Sequence, residues 1–260
     1  MKNINENDRF LNVELHGSTI ILYINYCLLL ENKTFEYRDE IIEYFDRLNN
    51  DDSIKVIVIG NDHPGYSLEK FKKNWNDLYS RNDYEDSILR AFRIYDQLLL
   101  KIKSLDKVII SMDSQSVNPM LFNFRMAVDI RLISNDFYLD NGNVKMVNIP
   151  KGGSIYSEAP IKPFSNPIKL LFFTEKLFST DLLNYNIVDQ VFYSENLKEG
   201  ALKIAKKYES VHYSEIEAIK GMYPRRIRAL ELALQRENEF LISCIRKRKN
   251  KKTQEIHRFH

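Results

Sequence analysis

The chain has 260 residues, 44% of them hydrophobic, and its 38 Lys and Arg against 36 Asp and Glu leave a formal charge of +2. That is enough apolar material for one large domain, or for one domain with a helical appendage. The near-cancelling charge demands neither nucleic acid nor a membrane. The two cysteines, Cys27 and Cys244, offer no metal spacing and no disulfide framework, which fits a reducing compartment. Residues 1–9 are polar without an apolar signal core, and no apolar run approaches the roughly 18 residues a membrane helix needs, so the expected location is cytoplasmic.

In chain order, 10–15 (FLNVEL) and 19–24 (TIILYI) read as two strands around a turn at His16-Gly17-Ser18. Residues 34–49 have apolar positions at helical spacing. Residues 54–59 (IKVIVI) form a near-continuous apolar run, the pattern of a parallel strand covered on both faces. A turn at 62–65 leads to a predicted helix over 68–78. The stripe Leu89, Phe92, Ile94, Tyr95, Leu98, Leu99 and Ile102 predicts a long helix over 84–104. Residues 107–112 (KVIISM) repeat the buried-strand pattern. A helix ending at Asp129, a further strand and a loop closing on Pro150-Lys151-Gly152-Gly153 follow. Strands alternating with helices argue an α/β fold built from crossovers.

After Pro150 the reading gives short helices over 166–173 and 181–185 around a hinge-like 173–179, then an extended piece over 187–193. Helices over 197–208 and 214–222 precede a long one over 225–245, marked by Pro224 at its start. The predicted organisation is a core over 8–195, a helical region over 196–245 and a basic, disordered tail over 246–260. Residues 220–260 hold 12 Lys and Arg against four Asp and Glu, a net +8. Such a run reads as a solvated tail, or as a surface steering an acidic or phosphate-bearing partner. Nucleic acid fits less well, because no aromatic-interleaved platform accompanies the charge.

Four segments occur in a telling order. The first is the hairpin ending at Ile24-Asn25, followed by Tyr26-Cys27. The second is the strand at 54–59 with its loop Gly65-Tyr66-Ser67 and helix start Leu68-Glu69-Lys70-Phe71. The third is Ala127-Val128-Asp129-Ile130-Arg131, and the fourth is 170–192 with Asn186-Ile187-Val188-Asp189 near its end. Each is weak alone. Together, over about 10–240, they resemble the crotonase (enoyl-CoA hydratase/isomerase) superfamily.

The resemblance implies an α/β, crotonase-like (ClpP/crotonase) ββα spiral core with a helical C-terminal oligomerisation region. The implied assembly is a homo-trimer or hexamer, or a hetero-oligomer with a paralogue. The implied partner is acyl-CoA or an acyl carrier protein, whose CoA or phosphopantetheine thioester is the substrate carrier; no bound metal or redox cofactor is implied. In that chemistry two backbone N–H groups polarise the thioester carbonyl and stabilise an enolate-like anion, while carboxylates move a proton or activate water.

Matched position by position, the resemblance puts the backbone donors at Tyr66 and Met120, with a one-residue slip placing Pro119, which has no N–H, at the second. It lays the carrier along Pro64, Gly65, Leu68 and Lys70. The family's two glutamates fall on Asn123 and Asn143, and an amide does not titrate near neutral pH. Ordinary enoyl-CoA hydration is therefore not expected. Asp140 is either a carboxylate brought in by a longer loop or a solvated turn residue. His63 is the histidine nearest the expected thioester path; His16 and His212 read as turn and pre-helix residues. Asp113 reads as a turn cap or as the end of the strand before the family's Asn-Gly turn, and Lys70, Lys72 and Lys73 either meet CoA phosphates or form a solvated face. Two functions stay open: a decarboxylase or isomerase of acyl thioesters, in a secondary-metabolite (polyketide-like) or fatty-acid pathway, and a non-catalytic binding or assembly partner.

Overall fold

The computed structural model describes residues 11–24, 36–61, 68–117, 124–140, 152, 176–222 and 224–258. The strands β1 (Leu11–His16) and β2 (Thr19–Ile24) form a hairpin in which His16 faces Thr19 across the two-residue loop Gly17-Ser18. Gly17 takes φ +62°, the left-handed value such loops require and glycine adopts without strain. Then follow α1 (Glu36–Asn49), β3 (Val56–Asn61), α2 (Leu68–Tyr79), α3 (Tyr84–Lys103) and β4 (Val108–Asp113). Next come the two-residue β5 (Ser116–Val117), a 3-10 turn (Phe124–Ala127), β6 (Ile130–Ser134) and β7 (Tyr138–Asp140). Beyond residue 175 lie β8 (Lys176–Phe178), α4 (Ser179–Asn184), β9 (Gln190–Phe192), α5 (Leu197–Glu209), α6 (Tyr213–Gly221) and α7 (Pro224–Arg258).

The main sheet has the order β1-β2-β3-β4-β6-β9, parallel except for β1; a second sheet, β5-β7-β8, stands apart from it. Side chains of a strand alternate between faces, so the continuous apolar runs of β2, β3 and β4 feed two cores. Ile20, Leu22, Ile57, Ile59 and Ile109 pack with α1, α3 and α7. Ile21, Val56, Val58, Val108, Ile110 and Met112 pack under Leu197, Ala201 and Ala205 of α5 and Ile216 of α6. Each such aliphatic side chain taken fully out of water contributes about 1.5–3 kcal/mol. The predicted stripe of the long helix holds, with Phe92, Ile94, Tyr95, Leu98, Leu99 and Ile102 buried in α3 and Leu89 half-buried at its edge.

The structure corrects the sequence reading in three places. The hinge-like 173–179 contains β8, paired antiparallel with β7; three residues are too few to show a period. Where a helix was expected to run to Asp129, the described part is the short 3-10 turn, because Phe124 plunges against Tyr95 (centroids 4.1 Å apart) and Arg125 is drawn to Asp113. Beyond residue 195, α5 covers one face of the sheet. The apolar stripe of α7, which fits a subunit interface or packing within the chain, packs within the chain through Leu234, Leu241, Ile242 and Ile245. Finally, α7 continues past Ile245 to Arg258 instead of dissolving into a tail. Arg246 forks onto Glu85 at 2.8 and 2.5 Å, and the Lys249 ammonium sits 3.3 Å from the centre of the Tyr84 ring. No described helix is long and apolar enough to cross a membrane.

Candidate functional site

In a parallel sheet, ligands gather beyond the carboxyl ends of the strands. Here β3 and β4 are neighbours, with Gly60 paired to Met112; the chain passes from β3 directly into one segment, and from β4 through β5 of the small sheet into the other. Those segments are 62–67 and 118–123. They carry His63, Pro64, Gly65 and Tyr66 on one side and Pro119, Met120 and Asn123 on the other. All of these, and Asn143, lie outside the described residues. Leu68 and Lys70 belong to the first turn of α2, which begins directly after the first segment. Lys72 and Lys73 are exposed on the same helix.

Asp140 is the one predicted carboxylate that the described residues locate. It is half-buried and ends β7. Val117 of β5 pairs with Leu139, so Asp140 stands one residue past that pair, at the end of the small sheet from which 118–123 departs. It occupies a strand and not a solvated turn.

Asp113 is not a turn cap. It ends β4 at 1% exposure and takes a two-pronged ion pair from Arg125, Nε to Oδ2 and Nη2 to Oδ1, both at 2.6 Å. The sequence reading passed over Arg125; a lone Arg amid Phe124, Met126, Ala127 and Val128 was the signal available. Two residues before Asp113, and so on the same face of β4, the Ser111 hydroxyl is buried and has no hydrogen-bond partner among the described residues. Between Asp113 and β5, Gln115 takes φ +62°, where a side chain is strained, and its carbonyl accepts from Tyr138 N–H at 3.2 Å.

The opposite edge of the sheet carries a repeated device. Asp129 donates its N–H to the Ile109 carbonyl at 2.9 Å and accepts the Ile109 N–H on its carboxylate at 2.8 Å. Asp189 does the same to Arg131, at 2.9 and 2.7 Å. Lys220 of α6 closes the first of these, reaching Asp129 at 2.7 Å and the Leu105 and Lys107 carbonyls at 3.0 and 2.5 Å. The motif residues Asp129 and Asp189 thus stitch neighbouring strands together. Two histidines are also structural: His212 caps α6, its Nδ1 accepting from Ser214 N–H at 3.4 Å, and His16 contacts Glu14 at 3.1 Å on the hairpin. Glu14 is held below the ordinary carboxylate range, chiefly by its bond from Lys198. Among the described residues no group of His, Cys, Asp or Glu is arranged to hold a metal.

This topology recurs in solved structures. An enoyl-CoA hydratase from Bacillus halodurans is 18% identical over 91% of this chain and 95% of its own, with a TM-score of 0.78. The chain has the crotonase fold. An enoyl-CoA hydratase from Mycobacterium avium subsp. paratuberculosis K-10 (16% identity, 89% of both chains, TM-score 0.67) shares it. So does an enoyl-CoA hydratase/isomerase from Pseudoalteromonas atlantica T6c, at 17% identity over 90% of this chain and 91% of its own, with a TM-score of 0.67. No family model matches the sequence, and no curated protein matches it either. The crotonase fold is therefore shown by three-dimensional likeness at identities that leave the reaction open.

Proposed function

We propose that this chain is a member of the crotonase superfamily acting on an acyl thioester of CoA or an acyl carrier protein, by decarboxylation or isomerisation and not by hydration. The observation that supports the reading is the adjacency of β3 and β4 at Gly60 and Met112: the segment bearing Tyr66 follows β3, and the segment bearing Met120 follows β5, three residues beyond the end of β4. Two N–H groups aimed at one thioester oxygen stabilise the enolate that either reaction forms. In decarboxylation the bond from the α-carbon to its carboxylate breaks, CO₂ leaves, and the electron pair moves into the thioester as an enolate. A proton then returns to the α-carbon, which needs an acid but no base. Asp140, at the end of β7 beside the departure of 118–123, is the group proposed to pass it on. The same carboxyl serves isomerisation by removing a proton from one carbon and returning it to another. Asn123 and Asn143 supply hydrogen bonds in place of the carboxylates that hydration requires.

The test is a product assay with purified protein on malonyl-type and methylglutaconyl-type thioesters, alongside crotonyl-CoA. Decarboxylated or isomerised thioester without hydration supports the proposal, and Asp140→Asn is expected to lower the rate by about 10²-fold with the fold intact. Robust hydration of crotonyl-CoA overturns it. Tight thioester binding with no turnover on any substrate would favour the non-catalytic partner instead.

A further inference from the structure

We infer that the buried Asp113–Arg125 pair is a positioning device for the thioester site, fixing both ends of the span 114–124 that carries the second backbone donor; this rests on the thioester reading above. Both side chains are almost wholly out of water, at 1% and 3% exposure, and they are joined by two 2.6 Å bonds across 12 positions of sequence. Stability does not account for such a pair. Two charges lose their hydration on burial, and apolar side chains of similar volume commonly serve the fold as well or better. What apolar side chains do not provide is direction: the planar guanidinium fork fixes distance and plane together.

Two further observations point the same way. Gln115 is held at φ +62° inside the span, and a strained backbone persists only where its surroundings over-determine it. Phe124, beside Arg125, is 1% exposed and packed on Tyr95. The span is thus pinned at one end by β4 and at the other by α3 and the ion pair. A donor amide displaced by about 1 Å costs on the order of 10²-fold in rate. Asp113 and Arg125 are positioning residues, acting on the reaction through the backbone between them.

The experiment compares wild type with the double variant Asp113→Leu/Arg125→Met and with Arg125→Lys, which keeps the charge but loses the fork. Thermal unfolding, amide hydrogen exchange over 114–124, and thioester kcat and KM are read for each. The inference predicts a double variant that melts near wild type, exchanges at least tenfold faster within 114–124 and nowhere else, and loses on the order of tenfold to 10²-fold in kcat at unchanged KM. Arg125→Lys should show the same pattern, weaker, and it decides the matter if the double variant does not fold. Unchanged exchange, or faster exchange with unchanged kcat, overturns the inference. Wild-type protein that neither binds nor turns over a thioester sinks the functional reading instead, and exchange alone then decides whether the pair fixes the span.

Discussion

The two edges of the parallel sheet use charge in opposite ways. At the edge where the strands begin, Asp129 and Asp189 are part-exposed carboxylates that accept backbone N–H groups of the neighbouring strand as well as the side-chain cations of Lys220 and Arg131. They set register, and Lys220 and Lys107 close the remaining carbonyls there. At the edge where the strands end, Asp113 is buried and spends its bonds on a side chain, beside a residue at strained φ. One edge is built for the fold at little cost. The other keeps features that are costly to bury or to strain, and it is there that the proposal above places the task.

Four changes break or sharpen that contrast. The largest effect is expected from Arg125→Ala, which strands the Asp113 carboxylate in the core and should lower unfolding free energy by about 3–5 kcal/mol in urea denaturation. A loss below about 1 kcal/mol would mean that the pair is not the buried charge described. Asp129→Ala removes both the Ile109 cap and the anchor of Lys220; a carboxylate a third exposed makes this about 2 kcal/mol. Its turnover per folded molecule should stay at the wild-type value, in contrast to changes at the other edge. Gln115→Gly should stabilise, by about 0.5 kcal/mol, because relief of the left-handed strain slightly exceeds the added chain entropy. A loss of stability there would argue against strain.

The smallest effect belongs to the Glu85–Arg246 pair that ties α7 to α3. The bond from Arg246 holds the Glu85 carboxyl below its ordinary range. A depressed carboxylate contributes stability above its unfolded pKa and loses it as pH falls through the folded value. Glu85→Gln should therefore lower the urea midpoint slightly at pH 7 and leave it unchanged well below that lowered pKa. High salt should shrink the difference further, since the pair is exposed.

The contrast also explains what the sequence could reveal. The fold was legible because its determinants are local and side-chain specific. The apolar runs of β2, β3 and β4 announce strands covered on two faces, and Asp129 and Asp189 stand one residue before β6 and β9, where each carboxylate meets the strand alongside. The candidate site was legible only as a pattern of replacements. An amide donor leaves no mark, since every residue except proline has one, so Tyr66 and Met120 rest on resemblance alone. The Asp113–Arg125 pair joins positions on either side of a loop, and no period or spacing links them in the sequence. The end of α7 was missed because 246–258 reads as a solvated charge run, while the contacts that hold it, Glu85 and Tyr84, come from α3.

The central claim is that the segments following β3 and β5 polarise a thioester carbonyl between them. It is tested most directly by difference infrared spectroscopy of an acyl thioester carrying a ¹³C label at the carbonyl, free and bound to the purified protein. The account predicts a carbonyl stretch that moves to lower frequency on binding and returns toward the free value in the Asp113→Leu/Arg125→Met variant. A bound thioester whose carbonyl stretch stays at its free frequency in the wild type would contradict it.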